Sequence, residues 1–166
     1  MELWDLYDAE GRPTGVTWER DSGRDFPEGM YHIVCDILVK HIDGDYLLMQ
    51  RDLNKQPYPG YFEASAGGSA LKGEDPLTCA KRELLEETGI VSDSFELINR
   101  TRSEKSRCIF FSYLTVVDCD KSSVTLQEGE TISYKWVDRE GLLEYIASEQ
   151  SIKSHNSRYA SYFETL

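Results

Sequence analysis

The chain has 166 residues, 40% hydrophobic and 11% aromatic, so it is long enough and apolar enough to form a packed core. Its formal net charge of −12 disfavours direct binding to nucleic acid or to an anionic membrane, because like charges repel. We therefore expect a single domain over residues 1–166, with neither nucleic acid nor membrane as a partner.

The N-terminal residues lack the pattern of a secretory leader. Met1 is followed by Glu2, and neither a basic start nor an apolar run follows. No stretch approaches the length of a membrane span. The four cysteines form no Cys-x-x-Cys pair, which is typical of reduced thiols: Cys35, Cys79, Cys108 and Cys119. These features predict a cytoplasmic protein.

The N-terminal half is predicted to consist mainly of strands. Alternating apolar and polar residues, β-branched runs and flanking turn residues predict strands over residues 3–7, 31–40, 46–50 and 61–65. Turn residues from Asp8 to Gly15 predict a first hairpin, and Asp43-Gly44 predicts a second one.

The central helix has clear start and stop signals. Asp75 can cap free backbone N–H groups, Pro76 suits the first helical position, and Gly89 favours the helix end. Beyond it, we predict strands over residues 95–100, 108–117 and 132–137, then a helix from Asp138 to about Ser148 and a final helix over 152–166. The aromatic residues of this last segment are predicted to pack in the core.

Glu83, Glu86 and Glu87 are spaced so that all three carboxylates fall on one face of the central helix. Like charges this close repel one another, so the arrangement does not stabilise the helix by itself. A hard divalent cation such as Mg²⁺ or Mn²⁺ would offset the repulsion, because such ions bind carboxylate oxygens. The spacing therefore indicates a metal site, with an exposed acidic helix face as the alternative.

The segment from Gly68 to Ile90 resembles the Nudix box, G-x5-E-x7-R-E-U-x-E-E-x-G-U, in which U is aliphatic. Every specified position matches: Gly68, Glu74, Arg82, Glu83, Leu84, Glu86, Glu87, Gly89 and Ile90. The resemblance implies an α/β protein with the Nudix fold, an α/β/α sandwich around a mixed β-sheet. It also implies a hydrolase that cleaves a nucleoside diphosphate linked to another group.

The same resemblance assigns roles within the box. Glu83, Glu86, Glu87 and the Gly68 carbonyl would hold one to three Mg²⁺ or Mn²⁺ ions, and Arg82 would orient the glutamates. Glu74 is interpreted as mainly structural. The general base is either a box glutamate or an acidic residue before the strand that carries Trp136. Of the two acidic residues there, Glu130 is favoured over Glu128.

A second resemblance lies outside the box, in Trp4-Asp5-Leu6-Tyr7-Asp8, Tyr31-His32, residues 47–55 and residues 58–62. These segments resemble the Nudix branch related to isopentenyl-diphosphate isomerase. In the isomerase, an Arg and a Lys four residues apart hold the diphosphate, and they correspond here to Arg51 and Lys55. Two cations at this point would offset the negative charge of the chain where a diphosphate binds. An ordinary solvated pair is the alternative.

Departures from the isomerase argue for hydrolysis. The isomerase has a Cys where this chain has Ala66, and a metal-binding His where it has Gly68. Ala66 cannot carry a proton, and without the second His a three-His site cannot form. His32 matches another isomerase ligand, and it could instead line the substrate pocket or lie hydrogen-bonded in the core.

The predicted function is therefore a metal-dependent pyrophosphohydrolase acting on a nucleoside diphosphate derivative or a related small organic diphosphate. The alternatives are an isomerase-like enzyme and a non-catalytic binding module that kept the fold. The substrate is left open, because specificity resides in loops outside the box. The resemblance leaves a homodimer open as well.

Overall fold

The computed structural model describes all 166 residues, which form nine strands, four α-helices and one short 3₁₀ helix. The strands are β1 Leu3–Tyr7, β2 Pro13–Glu19, β3 His32–His41, β4 Tyr46–Arg51, β5 Phe62–Ala64, β6 Ala66–Ser69, β7 Phe95–Ser103, β8 Cys108–Val117 and β9 Thr131–Val137. The helices are α1 Pro76–Thr88, α2 Arg139–Ala147, α3 Lys153–Arg158 and α4 Ala160–Phe163, and the 3₁₀ helix is Lys121–Ser123.

Seven strands form one mixed sheet, and β1 and β2 form a separate antiparallel hairpin. The main order is β5-β4-β3-β8-β7, with β6 added to β3 and β9 added to β4. Strand β3 runs parallel to β8, whereas the other pairs are antiparallel. The mixed sheet expected from the sequence is confirmed.

Each face of the sheet packs against helices because side chains of β3 alternate between its two faces. Cys35, Ile37 and Val39 belong to a core cluster that includes α1 residues such as Leu84. Leu38 belongs to a second cluster that includes α2 and C-terminal residues. The three layers form the predicted α/β/α sandwich.

The end signals of helix α1 act as predicted. Asp75 Oδ1 accepts a hydrogen bond from the Thr78 N–H at 2.7 Å, and Pro76 occupies the first turn. Gly89 adopts a left-handed φ of 73°, and its N–H donates to the Leu85 carbonyl. These caps fix the ends of the helix, and thereby the position of the box glutamates along it.

The single C-terminal helix expected from the sequence is wrong. The segment forms two short helices, α3 and α4, that meet at Tyr159. Tyr159 is 1% exposed and its hydroxyl donates to the Tyr113 carbonyl at 3.0 Å, so burial of this side chain sets the path of the chain. The predicted packing of the aromatic residues in the core is confirmed.

Two cysteines lie where α1 packs on the sheet. Cys35 and Cys79 are both fully buried, and the Cys35 thiol donates to the Pro76 carbonyl at 3.0 Å. The adjacent Cys79 thiol and burial together raise the pKa of Cys35, so its thiol stays protonated. All four cysteines are unpaired, as predicted. No helix combines the length and apolar character needed to cross a lipid bilayer.

Candidate active site

Strand β6 places the start of the box beside helix α1. Gly68 of β6 lies opposite Cys35 of β3, and its carbonyl accepts a hydrogen bond from the Cys79 thiol at 3.6 Å. A Cβ atom on Gly68 would overlap the Glu83 carboxylate. The position therefore requires glycine if Glu83 is to keep its place.

All three box glutamates line one cleft of about 640 Å³, in agreement with their shared helix face. Their exposure differs, because Glu83 and Glu87 are 9% and 5% exposed whereas Glu86 is exposed. The Glu87 carboxylate accepts a hydrogen bond from the Gly67 N–H at 3.3 Å. The cleft thus holds two buried carboxylates and one that faces solvent.

The charges of the buried carboxylates are poorly compensated. Burial raises the pKa of Glu87 to about 8, with Lys55 opposing the shift and the carboxylates of Glu63 and Glu83 adding to it. Burial also raises the pKa of Glu83, although Arg82 opposes that shift. A bound cation would relieve this cost by favouring the charged forms.

Arg82 links both ends of the box. Its guanidinium donates to the two Glu74 oxygens at 2.7 and 2.9 Å and to the Ser69 carbonyl at 3.0 Å. It also donates to Glu83 at 2.7 Å and to Glu86 at 3.1 Å. This network fits the orienting role expected for Arg82 and the structural role expected for Glu74.

The fit of a divalent metal depends on the available ligand atoms. The side chains do not gather three or more His, Cys, Asp or Glu ligands into a cluster, and Arg82 donates hydrogen bonds to Glu83 and Glu86. The carboxylates of Glu83 and Glu87 and the carbonyl of Gly68 nevertheless supply only oxygen atoms, which suit a hard cation such as Mg²⁺ or Mn²⁺.

Lys55 and Glu130 both line the cleft and form an ion pair with each other. Glu130 is held by its backbone, whose carbonyl accepts the Asp52 N–H at 2.9 Å and whose N–H donates to Gln127. Glu128, the other candidate base, is exposed and does not line the cleft. The geometry thus favours Glu130 of the two.

Arg51 lies in a smaller neighbouring cavity rather than in the cleft. It is 7% exposed and donates to both oxygens of Glu63 at 3.2 Å. Burial would raise the pKa of Glu63, but His155 and Arg51 hold that pKa below its ordinary value. Lys55 lines both spaces, whereas Arg51 lines the smaller cavity alone.

His32 lies in the core and lines neither space. Its ring stacks on Trp4 with centroids 4.0 Å apart, and it is 7% exposed. Burial lowers the pKa of His32 to about 4, so the imidazole is neutral near pH 7. This geometry favours the core alternative over the predicted substrate contact, because Trp4 covers one face of the ring.

Several residues that line the cleft and the smaller cavity were not predicted from the sequence. Arg20 and Lys72 add positive charge to the cleft, and Arg20 comes from the N-terminal hairpin. Asp36, His155 and Arg158 line the smaller cavity. Asp36 could have been noticed as the one carboxylate in the apolar run 33–39, whereas nothing in the sequence pairs it with the C-terminal segment.

A sequence model of the Nudix domain matches residues 30–157, which include the box, the cleft glutamates and both candidate bases. The chain belongs to the Nudix family. Nudix hydrolase lmo0368 of Listeria monocytogenes is 34% identical over 146 residues, covering 86% of this chain and 83% of the relative. An isopentenyl-diphosphate Delta-isomerase of Burkholderia multivorans is 29% identical over 150 residues, covering 88% and 83%.

Solved structures show the same fold. DR0079 from Deinococcus radiodurans superposes with a TM-score of 0.71 at 19% identity, covering 89% of this Nudix chain and 90% of its own. A bifunctional NMN adenylyltransferase/ADP ribose pyrophosphatase from Francisella tularensis, complexed with AMP and a Mn ion, has a TM-score of 0.62 at 20% identity. That match covers 81% of this chain and 42% of the other.

Proposed function

We propose that this Nudix protein is a Mg²⁺- or Mn²⁺-dependent pyrophosphohydrolase that cleaves a diphosphate bond in a nucleoside diphosphate derivative or a related small organic diphosphate. The observation that carries the proposal is the burial of Glu83 and Glu87 together beside Gly68. Burial raises the pKa values of both carboxylates, and a bound divalent cation would supply the positive charge that favours their ionised forms. The family membership supports the same chemistry.

The residues of the box have different roles in this proposal, according to where they lie in the cleft. Glu83, Glu87 and the Gly68 carbonyl would hold the metal, which when bound polarises phosphoryl oxygens and lowers the pKa of a water. Glu86 would join them from the exposed side of the cleft. Arg82 keeps the glutamates oriented through its hydrogen bonds to Glu74 and Glu83.

Lys55 and Glu130 would act as a pair. A substrate diphosphate competes with Glu130 for the Lys55 ammonium, since both are anionic oxygen ligands. Glu130 released in this way can accept a proton from the attacking water as general base. A box glutamate is the alternative general base. Arg51, which lines the smaller cavity, adds positive charge beside the diphosphate.

The isomerase alternative is disfavoured by two residues. Ala66 has no proton to give to an alkene carbon, and Gly68 has no imidazole to bind a metal. The binding-module alternative is disfavoured by the box, in which every specified position is intact. Isomerase-named relatives show that the shared fold alone does not separate these activities.

A substrate panel tests the proposal. Nucleoside diphosphate sugars, dinucleoside polyphosphates, nucleoside triphosphates, coenzyme A and prenyl diphosphates are incubated with Mg²⁺ or Mn²⁺, and products are identified by mass. We expect metal-dependent cleavage within a diphosphate, lost in Glu83→Gln and retained in Glu96→Gln, which changes an exposed carboxylate of β7. Cleavage that persists in Glu83→Gln would remove the assigned site.

Deuterium exchange separates the isomerase alternative. The protein is incubated with isopentenyl diphosphate in heavy water, and label at carbon is followed by NMR. We expect no protein-dependent label, because Ala66 offers no proton donor. Label that appears with protein-dependent kinetics would replace the hydrolase proposal with an isomerase.

A further inference from the structure

A second cavity, of about 220 Å³, adjoins the cleft and shares Lys55, Gly67 and Gly68 with it. Its other lining residues come from strands β3, β4, β5, β6 and β8 and from the C-terminal helix α3. Its volume is below the roughly 300–1,000 Å³ of pockets that take drug-sized ligands. A group of one ring attached to a diphosphate fits such a space better than a whole nucleoside.

One wall is a buried ion pair between β3 and α3. Arg158 donates from Nε to one Asp36 oxygen at 2.5 Å and from Nη2 to the other at 3.0 Å. The Arg158 side chain is 9% exposed, and its guanidinium lies 4.1 Å from the centre of the Phe110 ring. Ser112 donates a further hydrogen bond to Asp36 at 3.2 Å.

A second part of the wall is the triad of Arg51, Glu63 and His155. Glu63 accepts from Arg51 at 3.2 Å, and its other oxygen lies 3.3 Å from Nδ1 of His155. The Glu63 side chain is 13% exposed, so this charge too lies largely out of water. The Nε atom of Arg51 is buried without a hydrogen-bond partner, so the triad leaves donor capacity unused.

The cavity is lined by both negatively and positively charged side chains, and this restricts the kind of chemical group that can bind there. An isoprenoid chain would displace water from two carboxylates and two guanidiniums without replacing its hydrogen bonds. An anionic group would face Asp36 and Glu63, and a cationic group would face Arg51 and Arg158. A hydroxyl group can donate to a carboxylate and accept from a guanidinium, so several hydroxyls on one ring satisfy both kinds of wall.

We propose that this cavity is the subsite for a sugar ring esterified to the diphosphate. The inference rests on the proposed hydrolase function, because the diphosphate is placed at the shared edge formed by Lys55, Gly67 and Gly68. The remainder of the substrate lies in the larger cleft. Asp36, Glu63, His155 and Arg158 are then specificity residues for the sugar.

The test compares sugar-linked with methyl-linked diphosphates. UDP-glucose, GDP-mannose and ADP-ribose are measured against the methyl esters of the same nucleoside diphosphates, which have the same charge and lack the sugar. We expect kcat/KM for one of the sugar esters to exceed that for its methyl ester by about tenfold or more, the value of one charge-assisted hydrogen bond.

Two variants each change one residue, the first in the Asp36–Arg158 pair and the second in the Arg51–Glu63–His155 triad. Asp36→Asn and His155→Gln should each reduce the preference for the sugar ester toward unity. Ser157→Ala, on the exposed side of the same helix, should leave it unchanged. His155 is 30% exposed, so its substitution tests the subsite even if Asp36→Asn lowers the melting temperature.

Saturation-transfer NMR provides a readout that does not require turnover. The measurement uses Mg²⁺ and the Glu130→Gln background, in which turnover is slow. The sugar protons of the preferred ester should receive saturation there and lose it when His155→Gln is added, while the nucleoside protons keep it. Cleavage without sugar preference, and with no effect of either variant, would overturn the subsite and leave the hydrolase intact. Sugar contact that depends on His155 without any cleavage would support the subsite and overturn the hydrolase. If neither cleavage nor sugar contact is observed, the subsite and the hydrolase proposal are both overturned.

Discussion

Gly68 and Glu83 lie so close together that the glycine has no room for a side chain beside the carboxylate. Gly68 is in strand β6 and Glu83 is in helix α1, so this close approach is made between two elements that both line the cleft. In the proposed metal site, the Gly68 carbonyl and the buried Glu83 carboxylate would serve as neighbouring oxygen ligands.

Gly68→Ala should therefore lower kcat by about 10²-fold, because a displacement of about 1 Å in a catalytic group costs that much. The added methyl would push Glu83 out of place, whereas the fold should survive with a modest loss of melting temperature. Ser69→Ala is the matched control, since it keeps the carbonyl that Arg82 uses. Full activity in Gly68→Ala would show that the position of Glu83 does not matter.

Removal of one buried carboxylate should stabilise the metal-free protein. In EDTA at pH 8, we expect Glu87→Gln to melt above the wild type by about 2–4 °C for each kcal/mol of repulsion removed. Added Mg²⁺ should raise the melting temperature of the wild type more than that of the variant, because an ion that binds only the folded state stabilises it. Equal responses to Mg²⁺ would argue against Glu87 as a ligand.

Arg51→Ala and Lys55→Ala should both raise KM for the best diphosphate substrate, since each removes a charge-assisted contact worth about 1.5–3 kcal/mol. The two should differ in stability. Arg51→Ala leaves the buried Glu63 with His155 as its remaining close partner and should lower the melting temperature, whereas Lys55→Ala should not.

Lys81→Ala is the control for these two charge changes. Lys81 lies on α1, outside the cleft, in an exposed pair with Asp93. Its removal alters the net charge equally and should leave KM unchanged. A similar rise in KM for all three variants would show that the change in net charge, and not a specific contact with the diphosphate, causes the effect.

Glu130→Gln should lower kcat by about 10²–10⁴-fold, the usual contribution of a general base, with little change in metal affinity. Glu128→Gln should leave kcat unchanged, because Glu128 is exposed and lies outside the cleft. Both variants are measured over a pH series. A normal rate for Glu130→Gln would transfer the role to a box glutamate.

His32 should make the protein sensitive to mild acid. Its pKa is about 4 in the folded state and about 6.5 when unfolded, so unfolding takes up a proton between these values. Stability should be full above pH 6.5 and should fall as the pH drops toward 4. His32→Phe keeps a ring against Trp4 and should flatten this part of the melting-temperature profile. An unchanged profile would place the acid sensitivity elsewhere.

The helix that carries the box was predictable because its signals are local. Asp75, Pro76 and Gly89 act within a few residues of the helix ends, and the glutamate spacing alone sets their common face. Strand β6 was missed because its Ala-Gly-Gly-Ser sequence has no strand signal, and only its pairing with β3 makes it a strand. The break at Tyr159 likewise depends on burial against distant residues.

The smaller cavity could not be predicted because its charged pairs join residues far apart in sequence. Asp36 and Arg158 are separated by 122 positions. His155 and Arg158 would be read as polar residues of a surface helix, and only the docking of α3 brings them to β3 and β5. Sequence spacing predicts contacts within an element, whereas this cavity is made by how elements pack.

The thiols of Cys35 and Cys79 offer a built-in probe of motion. Both are sealed beneath α1 and β6, so a thiol reagent in solution reaches them only when the box helix separates from the sheet. The rate of native-state labelling at these positions therefore reports how often the helix opens. If Mg²⁺ or a bound diphosphate slows that rate, ligand binding can be followed through a local opening equilibrium without any turnover assay.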